Sequence, residues 1–209
     1  PDSVQRLAVL DRTKEPGASG DPLLQEITTA LVDAVGTGAR ATLPRLIGGR
    51  YGLASKEFTP AMVLAVFAEL AAAQPRRRFT LGINDDVSHS SLPYDRTLDL
   101  EPDDVTRALF FGLGADGTVS ANKATIKIIG EETPRFAQGY FEYDSRKSGS
   151  TTISHLRFGP RPIRSSYLVR RAQFVAIHDP EALERRDVLG AAMPGATVLL
   201  NTAIAPERV

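Results

Sequence analysis

The sequence predicts an α/β protein with two consecutive domains, each a mainly parallel sheet flanked by helices. Short apolar runs alternate with amphipathic stretches of helical period along the chain. A polar segment at 84–104, which has no apolar period, separates two such series. A chain of 209 residues is long enough for two small domains. We therefore expect domains over 1–100 and 101–209, neither of which need be complete.

The first half of the chain predicts a β-α-β-α-β series. Asp21-Pro22 and Thr59-Pro60 each place a capping side chain before a proline at the first helical position. Strands connected through helices pair in parallel with right-handed crossovers. The expected strands are 6–11, 45–47 and 77–83, and the expected helices are 22–35 and 60–74.

The second half predicts another α/β unit, which begins with an apolar strand at Phe110-Phe111. Alternating and continuous apolar runs predict its further strands, and a polar loop is expected at 145–150. The further expected strands are 136–144, 151–158, 174–178 and 197–201, and the expected helices are 118–129 and 181–189.

A glycine-rich turn at residues 112–117, called the glycine turn below, follows the first strand of the second half. Its spacing Gly112-x-Gly114-x-x-Gly117 allows a sharp turn, close approach of a phosphate, and packing of the next helix on the strand. The helix would then direct unpaired N–H groups at an anion. The same glycines also suit a strand-to-helix turn that binds nothing, so both interpretations stay open.

Composition excludes several kinds of site. The chain has no cysteine, which excludes disulfides and thiolate-bound clusters on it, and its three histidines are far apart in sequence, so we expect no metal site. We expect no membrane span, because no apolar run approaches ~20 residues. The net charge is zero, but 146–171 holds seven basic residues and no acidic one. This segment predicts an anion site, whereas scarce aromatic residues argue against nucleic acid.

The loop after the predicted strand 136–144 favours a phosphorylated ligand. Glu142 and Asp144 lie where a nicotinamide-binding unit would hold a ribose. Arg146, Lys147 and Ser148 follow at once and offer two cations and a hydroxyl. The residues alone therefore indicate a phosphate-bearing adenine nucleotide, such as NADP or coenzyme A.

Six motifs follow one another in one order along nearly the whole chain. They are RLAVLDRTKEPGA (6–18), IGGRYGLASKEFTP (47–60), FTLGINDDVSHSSLP (79–93), FFGLGADGTVSANKATIKIIGE (110–131), QGYFEYDSRKSG (138–149) and SHLRFGPRPIRSSYLV (154–169). Together they resemble the pyruvate:ferredoxin (flavodoxin) oxidoreductase family. The chain departs from the family pattern at Ser120, where a glycine is usual, and at Ser150, the last residue of RKSGS, for the usual KKSGG.

The resemblance implies a fragment of a cytoplasmic enzyme that converts pyruvate, CoA and an oxidised carrier to acetyl-CoA, CO2 and a reduced carrier. Residues 1–100 would be most of a transketolase C-terminal-like domain, and 101–209 the first part of a gamma-type, CoA-binding domain. Thiamine diphosphate, Mg and 4Fe-4S clusters would belong to other parts of a homodimeric enzyme that serves ferredoxin or flavodoxin. The isolated chain would then be inactive.

Under the same resemblance, coenzyme A is the cofactor expected on this chain. Two arginines, Arg157 and Arg164, would guide the anionic ligand or form interdomain ion pairs, and we expect no catalytic residue. An NADP-binding reductase domain and a purely structural module remain the alternatives. The residues expected to bind CoA are Gly114, Gly117, Thr118, Asn122, Lys147, Ser148 and Asn201.

Overall fold

The computed structural model describes residues 2–83, 87–144 and 150–205. The chain divides into two compact units, Pro1–Leu100 and Glu101–Val209. Each unit is a β-sheet with flanking helices, which confirms the predicted fold class. No helix among the described residues is long and apolar enough to cross a membrane.

The first unit is a three-stranded parallel sheet in the order β1-β2-β3, as the alternation of strands and helices predicts. Its core lies between the sheet and the apolar side of the second helix, where Ile47, Met62, Val66 and Phe79 are buried. The elements are β1 (Arg6–Asp11), α1 (Pro22–Gly36), β2 (Arg45–Arg50), α2 (Pro60–Ala71) and β3 (Arg78–Thr80).

The two helix starts of this unit differ in their caps. The Thr59 hydroxyl accepts a hydrogen bond from the Met62 N–H at 3.4 Å, as expected for an N-cap. Asp21 occupies the N-cap position of α1 but makes no capping bond, and its carboxylate accepts one from Arg50 at 2.7 Å instead. The Asp11 carboxylate, at the end of β1, accepts the N–H groups of the first turn of α1.

The second unit is a five-stranded sheet in the order β5-β6-β4-β7-β8. β6 is antiparallel to both of its neighbours, whereas β4, β5, β7 and β8 run in one direction. The elements are β4 (Thr106–Leu113), α3 (Thr118–Glu132), β5 (Phe136–Tyr143), β6 (Thr151–Gly159), β7 (Ala172–Ile177), α4 (Ala182–Arg185) and β8 (Ala192–Leu200).

Two elements near the end of the chain differ from their predicted bounds. α4 ends at Arg185 rather than near 189, because Arg186 adopts an extended conformation and Val188 turns into the core, where it is 1% exposed. β8 begins at Ala192, five residues before the predicted start. The strand pairs along β7 to Leu200, with an irregularity in register between Ala172 and Phe174 that a sequence pattern does not reveal.

Candidate functional site

The glycine turn lies at the C-terminal edge of the five-stranded sheet, the edge at which β4, β5, β7 and β8 end and β6 begins. The His178 N–H donates to the Phe111 carbonyl at 2.8 Å. The Asn201 N–H donates to the Ile177 carbonyl at 2.9 Å, and its side-chain amide donates to the His178 carbonyl at 3.3 Å. The structure therefore brings the glycine turn and Asn201 to the same edge, as two of the predicted site elements require.

A carboxylate that the sequence analysis did not identify organises the glycine turn. Asp116 Oδ2 accepts the Leu113 N–H at 2.7 Å, and Oδ1 accepts the Thr118 N–H at 2.8 Å. One side chain thus joins the end of β4 to the first residue of α3. The dipeptide Asp116-Gly117 before a helix is the signal that could have revealed it, because aspartate side chains commonly bind backbone N–H groups at helix starts.

The hydrogen bonds of Asp116 also set its charge state. Partial burial raises the pKa of Asp116, but the hydrogen bonds from Leu113 and Thr118, together with the charge of His178, outweigh it. The pKa of this carboxyl therefore lies below its usual value of 3.8. Asp116 is accordingly an anion at the tip of the helix at neutral pH.

Each of the three positions in the turn is occupied by glycine for its own steric or conformational reason. A Cβ on Gly112 would lie 2.7 Å from both Asp116 Oδ2 and Thr118 Oγ1. A Cβ on Gly114 would lie 2.5 Å from Ser150 Oγ. Gly117 has a φ of 83°, the left-handed region that other residues rarely adopt. Contacts within the protein explain Gly112 and Gly114, and backbone conformation explains Gly117, so none of the three glycines requires a bound phosphate.

Two residues predicted to bind CoA, Thr118 and Asn122, are buried in α3, with exposures of 6% and 3%. The Asn122 side-chain nitrogen has no hydrogen-bond partner among the described residues. In this structure both side chains serve the packing of the helix. Their predicted role in lining a ligand groove stays a prediction.

Ser150, which follows the basic loop (residues 145–149, outside the described residues), lies beside the glycine turn. The Asp144 N–H donates to the Thr151 carbonyl at 3.1 Å, which closes the hairpin between β5 and β6. The Gly114 N–H donates to the Ser150 carbonyl at 2.9 Å. Lys147 and Ser148 themselves lie outside the described residues, so their predicted contact with a phosphate stays a prediction.

Arg157 is buried and paired in this structure, whereas the resemblance implied a guide for an anionic ligand or an interdomain ion pair. The side chain is 1% exposed, and its Nε donates to the Glu101 carboxylate at 2.7 Å. It also donates to Gln138 Oε1 at 3.0 Å and to the Tyr167 carbonyl at 2.7 Å. β6 is buried on both faces, which places this cation in the interior, away from a ligand at the surface of this chain. Arg164 is exposed, and its predicted role stays a prediction.

Glu142, another charged residue near this edge, contacts a histidine rather than a ribose site. Glu142 Oε2 lies 3.6 Å from His155 Nε2, an electrostatic contact longer than an ordinary hydrogen bond. His155 Nδ1 accepts the Val169 N–H at 3.2 Å, which assigns the ring hydrogen to Nε2. This contact with His155 lowers the pKa of Glu142 and, with Arg186, outweighs the effect of partial burial, which raises it.

The strand order differs from that of a nicotinamide-binding unit. In such a unit the strand after the glycine turn and its helix lies next to the strand before the turn. Here β6 lies between β4 and β5, so the acidic end of β5 is two strands away from the glycine turn. No group of three or more histidine, aspartate or glutamate residues in the described ranges could hold a metal ion.

Comparison with known proteins identifies the family. Residues 107–209 match the family described as pyruvate ferredoxin/flavodoxin oxidoreductase. Pyruvate-flavodoxin oxidoreductase of Nostoc sp. is 58% identical over 209 residues that cover 97% of this chain. The chain belongs to this family. Pyruvate:ferredoxin oxidoreductase of Moorella thermoacetica is 51% identical over the whole chain. These identities confirm the family predicted from the six motifs.

The pyruvate ferredoxin/flavodoxin oxidoreductase relatives are much longer than this chain, which spans 17% of the length of the two named above. Among solved structures, subunit PORC of pyruvate oxidoreductase from Thermotoga maritima covers 50% of this chain and 54% of its own, with a TM-score of 0.41 and 19% identity. That similarity is too low to support any conclusion about the site.

Proposed function

We propose that this chain is part of an enzyme that converts pyruvate, CoA and an oxidised ferredoxin or flavodoxin to acetyl-CoA, CO2 and the reduced carrier. Within it, the C-terminal edge of the five-stranded sheet binds the nucleotide end of CoA. Membership of the family and high identity to named pyruvate oxidoreductases support the first statement. The hydrogen bond between Gly114 and Ser150 carries the second, because it brings Ser150, which follows the basic loop, to the glycine turn.

Under this proposal the remaining chemistry lies on other parts of a cytoplasmic, homodimeric enzyme. Thiamine diphosphate with Mg and 4Fe-4S clusters would be held there, and they would supply the chemistry on the 2-oxoacid and the path for electrons to the carrier. The chain has no cysteine to ligate a cluster. Its own contribution is a scaffold and a surface for the coenzyme, and alone it is inactive.

The proposed CoA surface combines exposed backbone with cationic and amide side chains. Gly114 and Gly117 leave the surface of the glycine turn open to a flat or phosphorylated group, because neither carries a side chain. Asn201 is exposed at the same edge and offers an amide. Lys147 and Ser148 supply charge-assisted and hydroxyl hydrogen bonds to the 3′-phosphate of CoA. Thr118 and Asn122 fix α3 beneath them.

Calorimetry with CoA and dephospho-CoA tests this surface. CoA should bind at least about tenfold more tightly than dephospho-CoA, a preference worth ~1.4 kcal/mol. Lys147→Ala should abolish most of that preference. The control is Lys127→Ala, which removes the same charge from an exposed position of α3 and should leave the preference intact.

A full-length relative serves as the positive control, because CoA binding can require parts of the enzyme outside this chain. Equal binding of both ligands by the full-length protein, or loss of the preference in Lys127→Ala, would contradict the assignment. NADPH fluorescence provides the remaining comparison. An increase in NADPH fluorescence on mixing with the protein would favour an NADP-binding domain. The position of β6 between β4 and β5 argues against such a domain.

A further inference from the structure

A cavity of about 430 Å³ lies in the first unit, between α1 and the starts of β2 and β3. Its volume falls within the ~300–1,000 Å³ of pockets that hold small molecules. The proposed CoA surface belongs to the second unit, so it accounts for none of the residues here. One part of the cavity wall is apolar and includes Leu24, Leu31, Leu43 and Leu46, and the cations of the wall are Arg77 and Arg78.

The two arginines at this cavity carry charges that no carboxylate neutralises within the described residues. No aspartate or glutamate of the described ranges lies in the cavity wall. Asp21, which follows the wall residue Gly20 in sequence, pairs with Arg50 at 2.7 Å instead. Cations without a carboxylate partner raise the local concentration of anions. Arg77 and Arg78 therefore make this cavity attractive to a negatively charged ligand.

The backbone holds the Arg78 guanidinium in the cavity wall. Its Nη1 donates to the Arg77 carbonyl at 3.2 Å. A Cβ on Gly20 would lie 3.3 Å from Nη2, and a Cβ on Gly48 would lie 3.4 Å from Nη1, so larger residues at both positions would crowd this group. The described residues accept none of its other N–H groups, which leaves those donors available to a ligand.

Uncharged polar side chains in the wall direct their donors elsewhere. The Thr28 hydroxyl donates to the Leu24 carbonyl at 2.6 Å, and the Thr29 hydroxyl donates to the Gln25 carbonyl at 3.0 Å. The Gln25 side-chain amide donates to the Gly20 carbonyl. An anion in this cavity would therefore take its charge-assisted hydrogen bonds from the two guanidinium groups.

We propose that this cavity binds a small amphiphilic anion, which places a carboxylate or phosphate group against Arg77 and Arg78 and an apolar body against the leucines. A guanidinium presents a planar fork of N–H groups that matches either head group. The leucines remove the apolar body from water, a contribution that an inorganic anion cannot make. The site lies in a different unit from the surface proposed for CoA, and its test does not depend on CoA binding.

Titration of the whole chain with hexanoate, hexyl phosphate, hexanamide and acetate tests this site. Amide chemical shifts of Gly20, Gln25 and Leu46 report its occupancy. At least one of the two hexyl anions should give saturable shifts and bind at least about tenfold more tightly than hexanamide, which has no charge, and than acetate, which has no apolar body. The comparison of hexanoate with hexyl phosphate identifies the head group. No saturable shift with either hexyl anion, or equal binding of hexanamide or acetate, would overturn the inference.

Arginine variants test the contribution of the cations. Arg78→Gln should weaken binding of the preferred hexyl anion at least about tenfold. Arg77→Gln provides a second arm that disturbs the fold less, because its side chain donates no hydrogen bond to the described residues. The matched control is Arg12→Gln, which removes an exposed arginine of the same unit that donates to the Gly52 carbonyl at 3.3 Å. It should leave binding unchanged.

Leu43→Ser tests the apolar wall. Leu43 is 54% exposed, so its replacement should leave the first unit folded. The variant should weaken binding of the hexyl anion about threefold or more, because part of the apolar body loses its contact. Unchanged binding in folded Arg77→Gln and Arg78→Gln, or an equal loss in Arg12→Gln, would overturn the assignment of the cations. Unchanged binding in Leu43→Ser would overturn the placement of the apolar body.

Discussion

Asp116 Oδ2 lies 2.7 Å from the position that a Cβ on Gly112 would take. The carboxylate occupies the space that a side chain on Gly112 would take, close to the end of β4. The strand residue therefore has to be glycine so that an aspartate four positions later can bind the backbone on both sides of the turn. Gly112 and Asp116 together fix the direction in which α3 leaves the sheet.

Gly112→Ala should destabilise the second unit by about 1–3 kcal/mol, because the added methyl group forces Asp116 and the Thr118 hydroxyl away from the strand. Urea unfolding followed by amide hydrogen exchange in β4 and β6 measures the change in the unfolding free energy of this unit. Gly114→Ala should cost less, since the nearest atom to its Cβ is a rotatable hydroxyl, Ser150 Oγ. Equal losses would contradict the steric explanation.

Arg157→Met should destabilise the second unit by about 3–5 kcal/mol, because it leaves the Glu101 carboxylate buried without its cation. The Glu101 side chain is only 4% exposed, so water cannot replace the lost partner. Hydrogen exchange of the β6 amides under urea reports the loss. The matched control is Arg161→Met, which removes an exposed arginine paired with Asp104 at 2.7 Å. It should cost less than ~1 kcal/mol.

A double variant separates the charge from the packing at the same place. Arg157→Met combined with Glu101→Leu removes both buried charges and should recover part of the stability lost in the single variant. A double variant no more stable than Arg157→Met would show that packing of the arginine stem, rather than the uncompensated carboxylate, accounts for the loss.

Glu142 should make the stability of the second unit depend on pH in the acid range. Its folded pKa is lowered from 4.5 by the contact with His155, so the ionised form stabilises the fold above the unfolded pKa. That contribution should be lost as the pH falls through the lowered folded pKa. Glu142→Gln should therefore cost a few tenths to ~1 kcal/mol at neutral pH and nothing at the acid limit. Parallel curves of unfolding free energy against pH for the two proteins would rule this out.

The sequence predicts the elements well where the signal is local. The proline after Asp21 and Thr59 marks the starts of α1 and α2. The apolar period predicts their buried faces only in part, because Leu23 and Phe67 are exposed. The sequence does not predict that β6 lies between β4 and β5, because strand order depends on pairing between segments far apart along the chain. The residue that caps the start of α1 was likewise not predictable from local sequence. Asp11, rather than the adjacent Asp21, binds the first turn of α1, since the end of β1 meets that turn only in the folded sheet.

The candidate site was predicted in part. The glycine turn and Asn201 do lie at one edge, because the ends of parallel strands gather there. The burial of Arg157 was not predicted, because a run without acidic residues suggests a solvated basic surface. Its carboxylate partner, Glu101, is 56 positions earlier, and only the fold brings the two together. Asp116 was missed because the glycines around it fit a phosphate pattern equally well.

The bonds from Asp144 to Thr151 and from Gly114 to Ser150 anchor both ends of the segment 145–149 to the sheet. Insertions or deletions confined to that segment would leave both of these anchoring bonds in place. The register between β5 and β6 should therefore survive changes in the number of residues between 144 and 150.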